Sequence, residues 1–164
     1  MPAVGRTNGL ITMSKQVLVL SASTHIARPI DVVRRHFSDV DHHARNRVHP
    51  DVAFTPLADS GEERRFRKTI HILGIPVIDE VVLRRQPDGS ITEDSVTGPS
   101  TGMRLVSRFR AGGRDLTAVT LTVEMPVRGL KRLAAPLLRR LVLRRLTKAL
   151  DEDRRDLEGG RYPS

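Results

Sequence analysis

Hydrophobic and polar positions divide the chain into strand-like and helix-like segments. A β-branched and aliphatic run over 16–26 predicts a first strand of about ten residues. After Pro29, apolar positions recur at helical spacing and predict a short helix. A second short helix is predicted over 39–47, ending before Pro50 because the residue preceding a proline disfavours helix.

The middle of the chain predicts an antiparallel meander. Six strand-length segments are separated by turn signals rich in Gly, Pro, Asp and Ser. They cover 52–57, 64–73, 77–85, 91–97, 103–110 and 116–125. The last two alternate clearly between apolar and polar positions, so one face of the sheet is expected to be buried and the other wet.

The segment Val127 to Glu158 changes to a helical pattern marked by leucines. The apolar positions of its two halves fall on sides that differ by more than about 90° on a helical wheel. This drift predicts a break between the halves, with Pro136 as its agent. Gly159 and Gly160 then end the helix.

Length and composition limit the protein class. The 164 residues predict one domain over 15–160, preceded by a flexible tail over 1–14. No signal-peptide pattern and no apolar run of membrane-spanning length is present, so a cytoplasmic protein is expected. The absence of cysteine excludes disulfides, cysteine-ligated metal sites and a cysteine nucleophile.

The net charge of +9 is concentrated in one segment. Eight basic residues and no acidic one lie between Val127 and Lys148: Arg128, Lys131, Arg132, Arg139, Arg140, Arg144, Arg145 and Lys148. They form either a solvated helix face or a surface for an anionic membrane or an acidic carrier protein. Aromatic residues make up only 3% of the chain, which argues against a nucleic-acid partner.

Two stretches carry a family resemblance. The strand-to-helix passage over 23–33, in which Pro29 and Asp31 open a helix bearing a Val pair, and the terminal stretch over 150–158 resemble the START-like (SRPBCC) superfamily. That superfamily contains polyketide cyclases, pollen-allergen-type carriers and lipid-transfer domains. The resemblance implies the α+β helix-grip fold. In it, a curved antiparallel sheet of about seven strands wraps a long C-terminal helix, and two short helices follow strand 1.

The resemblance also implies a cavity between the sheet and the C-terminal helix. The expected function is therefore binding of a hydrophobic small molecule or lipid, with a polyketide cyclase, aromatase or dehydratase as the alternative. Whether the protein is an enzyme stays open. The candidate ligand-binding residues are Arg65, Arg67, Met103, Leu105, Ser107, Arg108, Phe109, Leu121, Val142 and Leu146.

Three side chains are candidates for acid/base catalysis. Asp79 and Glu80 interrupt an apolar strand, and alternation sends one of them into the cavity and the other to solvent. An inward carboxylate would have a raised pKa or would pair with an inward arginine, for which Arg65, Arg67 and Arg108 are the candidates. His42 lies in a charged stretch over 39–49 at the expected cavity entrance and is the third candidate.

No metal and no other cofactor is predicted. Ring-hydroxylating oxygenases of the same superfamily hold iron with one Asp and two His, and Asp39 and His42 match that spacing. His42 and His49 are too far apart for the pattern, and no cysteine is present to hold an electron-supplying cluster. The histidines of this stretch are instead expected to be solvated side chains.

Overall fold

A single antiparallel sheet forms the framework of the molecule. The computed structural model describes residues 13–14, 17–72, 74–127 and 135–163. Its strands are β1 (Met13–Ser14), β2 (Val17–Ile26), β3 (Val52–Asp59), β4 (Glu63–Ile72), β5 (Ile75–Arg85), β6 (Ile91–Thr97), β7 (Arg104–Gly113) and β8 (Leu116–Pro126). The helices are α1 (Ile30–Ser38), α2 (Val40–Asn46) and α3 (Ala135–Glu158).

The strand order is β1-β2-β8-β7-β6-β5-β4-β3. The predicted meander therefore runs from β3 to β8, and β2 closes against β8 with Leu20 opposite Val123. The connection from β2 to β3 has to cross the whole sheet, and α1 and α2 make this crossing. These features and the long α3 confirm the helix-grip fold.

The two short helices begin and end as the sequence indicates. Pro29 immediately precedes α1, where its missing N–H costs nothing. The side chain of Asp39 caps α2 by accepting a hydrogen bond from the backbone N–H of His42 at 2.8 Å. α2 ends where Arg47 adopts the left-handed conformation.

Two details of the sequence prediction are wrong. Met13 and Ser14, placed in the tail, form β1 against β2. α3 is one uninterrupted helix with Pro136 in its first turn, a position that proline tolerates, so no break separates its halves from 135 onward. The rest of the predicted tail and the start of the predicted helix lie outside the described residues.

The core divides into two clusters on the inner face of the sheet. The first joins β2, β8, α1 and α3 and consists mainly of Leu18, Leu20, Ile26, Val33, Val119, Leu121, Val123, Leu146, Leu150 and Leu157. The second joins α2, β4, β5 and β6 through Val40, Phe66, Val81, Leu83 and Ile91. Phe37 and Phe109 pack against both clusters, with ring centroids 5.3 Å apart. No helix of the described chain is long and apolar enough to cross a membrane.

Candidate functional site

Four histidines and two aspartates meet where α1 and α2 pack on α3. This histidine–aspartate cluster consists of His36, His42, His43, His49, Asp153 and Asp156, and all six are buried. The expectation that the histidines of this stretch are solvated is wrong. Burial follows from the crossing of α1 and α2 over α3, which brings together residues more than 100 positions apart.

Asp156 binds two of the four rings. Its Oδ2 lies 3.1 Å from Nε2 of His36 and 2.6 Å from Nε2 of His42. The amide nitrogen of Asn46 bonds both the backbone carbonyl of His42, at 3.2 Å, and Nδ1 of the same ring, at 2.8 Å. Only the NH₂ group of Asn46 can donate to a carbonyl, so the same nitrogen also donates to Nδ1 of His42. Nδ1 is therefore an acceptor, and the ring proton of His42 lies on Nε2.

Asp153 faces the other rings. Its Oδ1 lies 3.3 Å from Nε2 of His43, 3.3 Å from Nε2 of His49 and 4.0 Å from Nδ1 of His36. The second nitrogens of two of these rings are also engaged. Nδ1 of His43 donates to the backbone oxygen of Asp39 at 2.8 Å, and Nδ1 of His49 donates to Glu152 Oε2 at 2.8 Å.

The cluster shifts the pKa values of its members in opposite directions. Burial lowers the pKa of His36 to about 4, although Asp153 and Asp156 act against the shift. Burial acts in the same sense on His49, but Asp153 and Glu152 overcome it and raise its pKa to about 9. Burial alone would raise the pKa of Asp153, yet His49 and His43 hold it well below its usual range.

Tyr162 closes the cluster from the C-terminal side. Its ring contacts those of His36 and His42, with centroids 4.9 and 4.6 Å away, and its hydroxyl donates to Asp39 Oδ2 at 3.1 Å. Burial and Asp39 raise the pKa of this tyrosine to about 12. Neither Tyr162 nor His36 is predicted as a site residue from the sequence, where the only signal for His36 is its place on the apolar face of α1.

The predicted acid/base residues do not meet. Asp79 is buried and accepts hydrogen bonds from the backbone N–H and the hydroxyl of Ser100, at 2.9 and 2.7 Å. Glu80 lies on the outer face, 3.8 Å from Arg67, with both side chains well exposed. His42 belongs to the histidine–aspartate cluster at the helix corner.

The candidate ligand-binding residues divide between the two faces. Arg65, Arg67 and Arg108 are exposed on the outer face, which corrects their placement in the cavity. The register explains the correction, since Phe66 pairs with the core residue Val81 and its neighbours in β4 must point outward. Those that face inward are Met103, Leu105, Ser107, Phe109, Leu121, Val142 and Leu146, all within or against the first core cluster except Ser107, which pairs with Leu121.

The inner face carries an ion pair that the sequence analysis missed. Lys68 Nζ lies 3.0 Å from Glu93 Oε2, and both side chains are less than one-fifth exposed. The ammonium lies 5.8 and 5.9 Å from the ring centroids of Phe54 and Phe66. All four phenylalanines of the chain pack in or against the second core cluster, and two of them, Phe54 and Phe66, lie beside this pair.

Two cavities open at the edges of the fold. One, of about 290 Å³, has a mainly charged lining that includes Arg35, Asp39, Asp41, Arg64 and Arg85. The other, of about 390 Å³, is lined by Val17, Asp94, Ser95, Gly102, Met103, Arg104, Glu124 and Pro126. Among the residues that the structure describes, α3 lines neither cavity.

The first half of α3 exposes apolar and basic side chains together. Leu137 is 71% and Leu141 40% exposed. Arg139, Arg140 and Arg144 are exposed, whereas Arg145 is half-buried. Arg128, Lys131 and Arg132, which the sequence assigns to the same basic segment, lie outside the described residues.

Residues 18–158 match a family model described as polyketide cyclase/dehydrase and lipid transport. A search of curated protein sequences found no match.

Solved structures with the same fold cover nearly the whole chain. TTHA0849 from Thermus thermophilus is 18% identical with a TM-score of 0.76, covering 87% of this chain and 98% of its own. The Zhui aromatase/cyclase from Streptomyces sp. R1128 is 16% identical with a TM-score of 0.68, covering 85% and 95%. A START superfamily protein from Mycobacterium smegmatis is 19% identical with a TM-score of 0.65, covering 87% and 99%. At these identities the likeness establishes the fold alone.

Proposed function

The chain belongs to the polyketide cyclase/dehydrase and lipid-transport family, and we propose that it binds a hydrophobic small molecule or lipid between the inner face of its sheet and α3. The family and the helix-grip fold support a ligand-binding role. The ligand itself has to be inferred from the side chains on that face.

One observation carries the proposal: apolar side chains on the inner face are left half-buried. Leu105, Phe109 and Met125 on the strands, Met103 just before β7, and Val142 and Leu143 on α3 all pack against the first core cluster and are only partly buried. Other inward residues nearby, such as Leu20 and Val119, are at most 1% exposed. A contiguous apolar surface that is incompletely covered in a folded domain favours an apolar ligand.

The chemistry of the same face suggests how such a ligand would lie. Its apolar body would cover Met103 and Leu105, and a polar group would reach Lys68 or Glu93, which share the inner face. A few polar groups on an apolar surface are the usual way in which a site fixes the orientation of its ligand.

Binding of the neutral apolar fluorophore N-phenyl-1-naphthylamine tests the proposal. The wild-type protein should bind it saturably, and Leu105→Trp should weaken binding at least about tenfold by filling the surface. Val96→Trp is the matched control, because Val96 is an exposed residue of the neighbouring strand β6. Absence of saturable binding, or equal weakening by both variants, would contradict the proposal.

The alternative, a cyclase-type enzyme, has one observation in its favour. Lys68 and Glu93 form an acid/base pair that faces the proposed ligand surface, whereas Asp79 and Glu80 are bound to Ser100 and Arg67 instead. An enzyme should convert a short poly-β-ketone thioester into cyclised or dehydrated product, seen by liquid chromatography. Glu93→Gln should abolish the conversion while retaining fluorophore binding. A pure carrier should return the thioester unchanged.

A further inference from the structure

We propose that His36, His43 and Asp153 bind one divalent transition-metal ion, zinc by the chemistry of the donors. The three residues come from three different elements, α1, α2 and α3. Nothing in the function proposed above depends on this site. The proposal starts from the direction in which two imidazole nitrogens point.

Two ring nitrogens converge on a single carboxylate oxygen. Nε2 of His43 lies 3.3 Å from Asp153 Oδ1, and Nδ1 of His36 lies 4.0 Å from it. One donor atom from each of His36, His43 and Asp153 lies within 4.8 Å of the other two. In a tetrahedral zinc site with bonds of about 2.0–2.1 Å, neighbouring donors are separated by roughly 3.3 Å.

Hydrogen bonding on the far side of each ring fixes the tautomer that a metal requires. His36 donates through Nε2 to Asp156, and His43 donates through Nδ1 to the backbone oxygen of Asp39. The neutral rings of His36 and His43 therefore turn a lone pair toward Asp153, and each has the carboxylate or carbonyl partner that orients metal-binding histidines. His49 lies 2.8 Å from Glu152 Oε2 and 3.3 Å from Asp153 Oδ1, and it orients Asp153 rather than binding the ion.

A buried ring nitrogen without a hydrogen-bond partner is a second observation that favours a cation here. His36 is completely buried, yet its Nδ1 has no hydrogen-bond partner within the part of the chain described. A buried imidazole nitrogen without a partner is costly, and a metal bond would satisfy it. Nε2 of His42, by contrast, carries a proton, because its Nδ1 accepts from Asn46. Asp156, which lies between His36 and His42, therefore orients His36 through its Nε2 and does not bind the ion itself.

The donor set favours zinc over the hard cations. Two imidazoles with one carboxylate suit zinc and its borderline neighbours, whereas magnesium and calcium require mostly oxygen donors. All three protein donors are buried. A water molecule as fourth ligand would complete the tetrahedral coordination that zinc prefers. The ion would fix α1 and α2 against α3.

Metal binding to chelator-stripped wild-type protein is the direct test. Zn²⁺ should bind with a stoichiometry of one, measured by competition with a chromophoric chelator, and should raise Tm, whereas Mg²⁺ should do neither. Co²⁺ should give the intense visible bands of a four-coordinate ion. Absence of Zn²⁺ binding, or only the weak bands of hydrated Co²⁺, would overturn the proposal without any variant. The cluster would then be a network of hydrogen bonds and protonated histidines.

Substitutions of three aspartates on α3 test whether zinc binds at the proposed site. Asp153→Asn keeps the side-chain volume and should weaken Zn²⁺ binding by more than about a hundredfold, and Asp156→Asn by about 10–100-fold through the orientation of His36. Asp151→Asn is the matched control, since Asp151 lies on the same helix and pairs with Arg154 on its surface. Wild-type affinity in folded Asp153→Asn, or the same loss in Asp151→Asn, would show that zinc binds elsewhere.

Discussion

Asp79 shows how one buried carboxylate is fixed by a loop rather than by a ligand. It accepts two hydrogen bonds from Ser100, which lies in the connection between β6 and β7. Hydrogen bonds to an ionised group are stronger than those between neutral groups, and their loss leaves the backbone N–H of Ser100 without its partner. The residue is therefore better explained as a structural anchor than as a general acid.

Replacing Asp79 tests this role. Asp79→Ala should lower the free energy of unfolding by about 1–3 kcal/mol, measured by urea denaturation. Glu80→Ala should change the free energy of unfolding by less than about 0.5 kcal/mol. The ion pair of Glu80 with Arg67 is long at 3.8 Å and exposed to solvent, so it contributes little. Equal stability of the two variants would contradict the anchor, and loss of ligand binding by stable Asp79→Ala would revive a functional role.

Gly98 is required beside the same carboxylate. It has φ +94°, and a Cβ at this position would overlap the backbone oxygen of Ile78 and Oδ1 of Asp79. Gly98→Ala should therefore cost about 1–2 kcal/mol for the left-handed backbone and a further 1–3 kcal/mol for the overlap. Gly61→Ala is the control, with φ +86° but open space around it, and should show the backbone cost alone in thermal unfolding. A smaller effect at Gly98 than at Gly61 would show that the loop simply moves away.

At the scale of elements, the first half of α3 exposes leucines and basic residues together, and we propose that this face binds an anionic bilayer surface. Leu137 and Leu141 are exposed on the same side of the helix as Arg144. Exposed leucines flanked by basic residues are typical of helices that lie in the interface of anionic bilayers. The charges would attract the surface, and the leucines would insert into it.

Vesicle sedimentation checks this proposal. The protein should bind vesicles containing phosphatidylserine, and binding should decrease with salt. Leu137→Glu should abolish it, and Arg144→Gln should weaken it about fivefold, equivalent to about 1 kcal/mol for one basic residue. Val96→Glu, at an exposed apolar residue of β6, should have no effect. Binding that is independent of anionic lipid and salt would contradict the proposal, as would binding only to an acidic protein.

The elements themselves were largely predictable, because each depends on a local pattern. The meander followed from turn signals between short apolar runs, and its strands lie close to their predicted bounds. The side to which β4 turns its residues was not predictable in the same way. Its sequence carries polar residues on both faces, so Arg65 and Arg67 were candidates for the inside until pairing with β5 placed Phe66 there.

At the scale of the whole molecule, the histidine–aspartate cluster escaped prediction because its halves lie far apart in the chain. The sequence shows His42 and His49 close together, but their acidic partners, Asp156 and Asp153, lie on a helix more than 100 residues later. In the sequence, the acidic residues at the end of α3 have the pattern of a helix face exposed to solvent. Only the crossing of α1 and α2 over the sheet, which the fold requires to reach β3, brings the two segments into contact.

The same crossing leaves the two ends of the sheet unequally covered, which predicts unequal local stability. β8 lies between β2 and β7 and contributes Val119, which is fully buried, to the cluster under α3. β3 is the edge strand at the other end, and only Val52 and Phe54 in it are even half-buried. Local opening is governed by buried contacts, so β3 should open with a much smaller free energy than β8.

Native-state hydrogen exchange read by mass spectrometry measures this difference. Amides of β3 should exchange at least about a hundredfold faster than those of β8, equivalent to ~2.8 kcal/mol. β4 should exchange at an intermediate rate, because it pairs with β3 on one side and with β5 on the other. Equal protection of β3 and β8 would mean that the two core clusters unfold as one unit, joined through Phe37 and Phe109. In that case Phe109→Ala should separate them, exposing β3 to exchange while β8 stays protected.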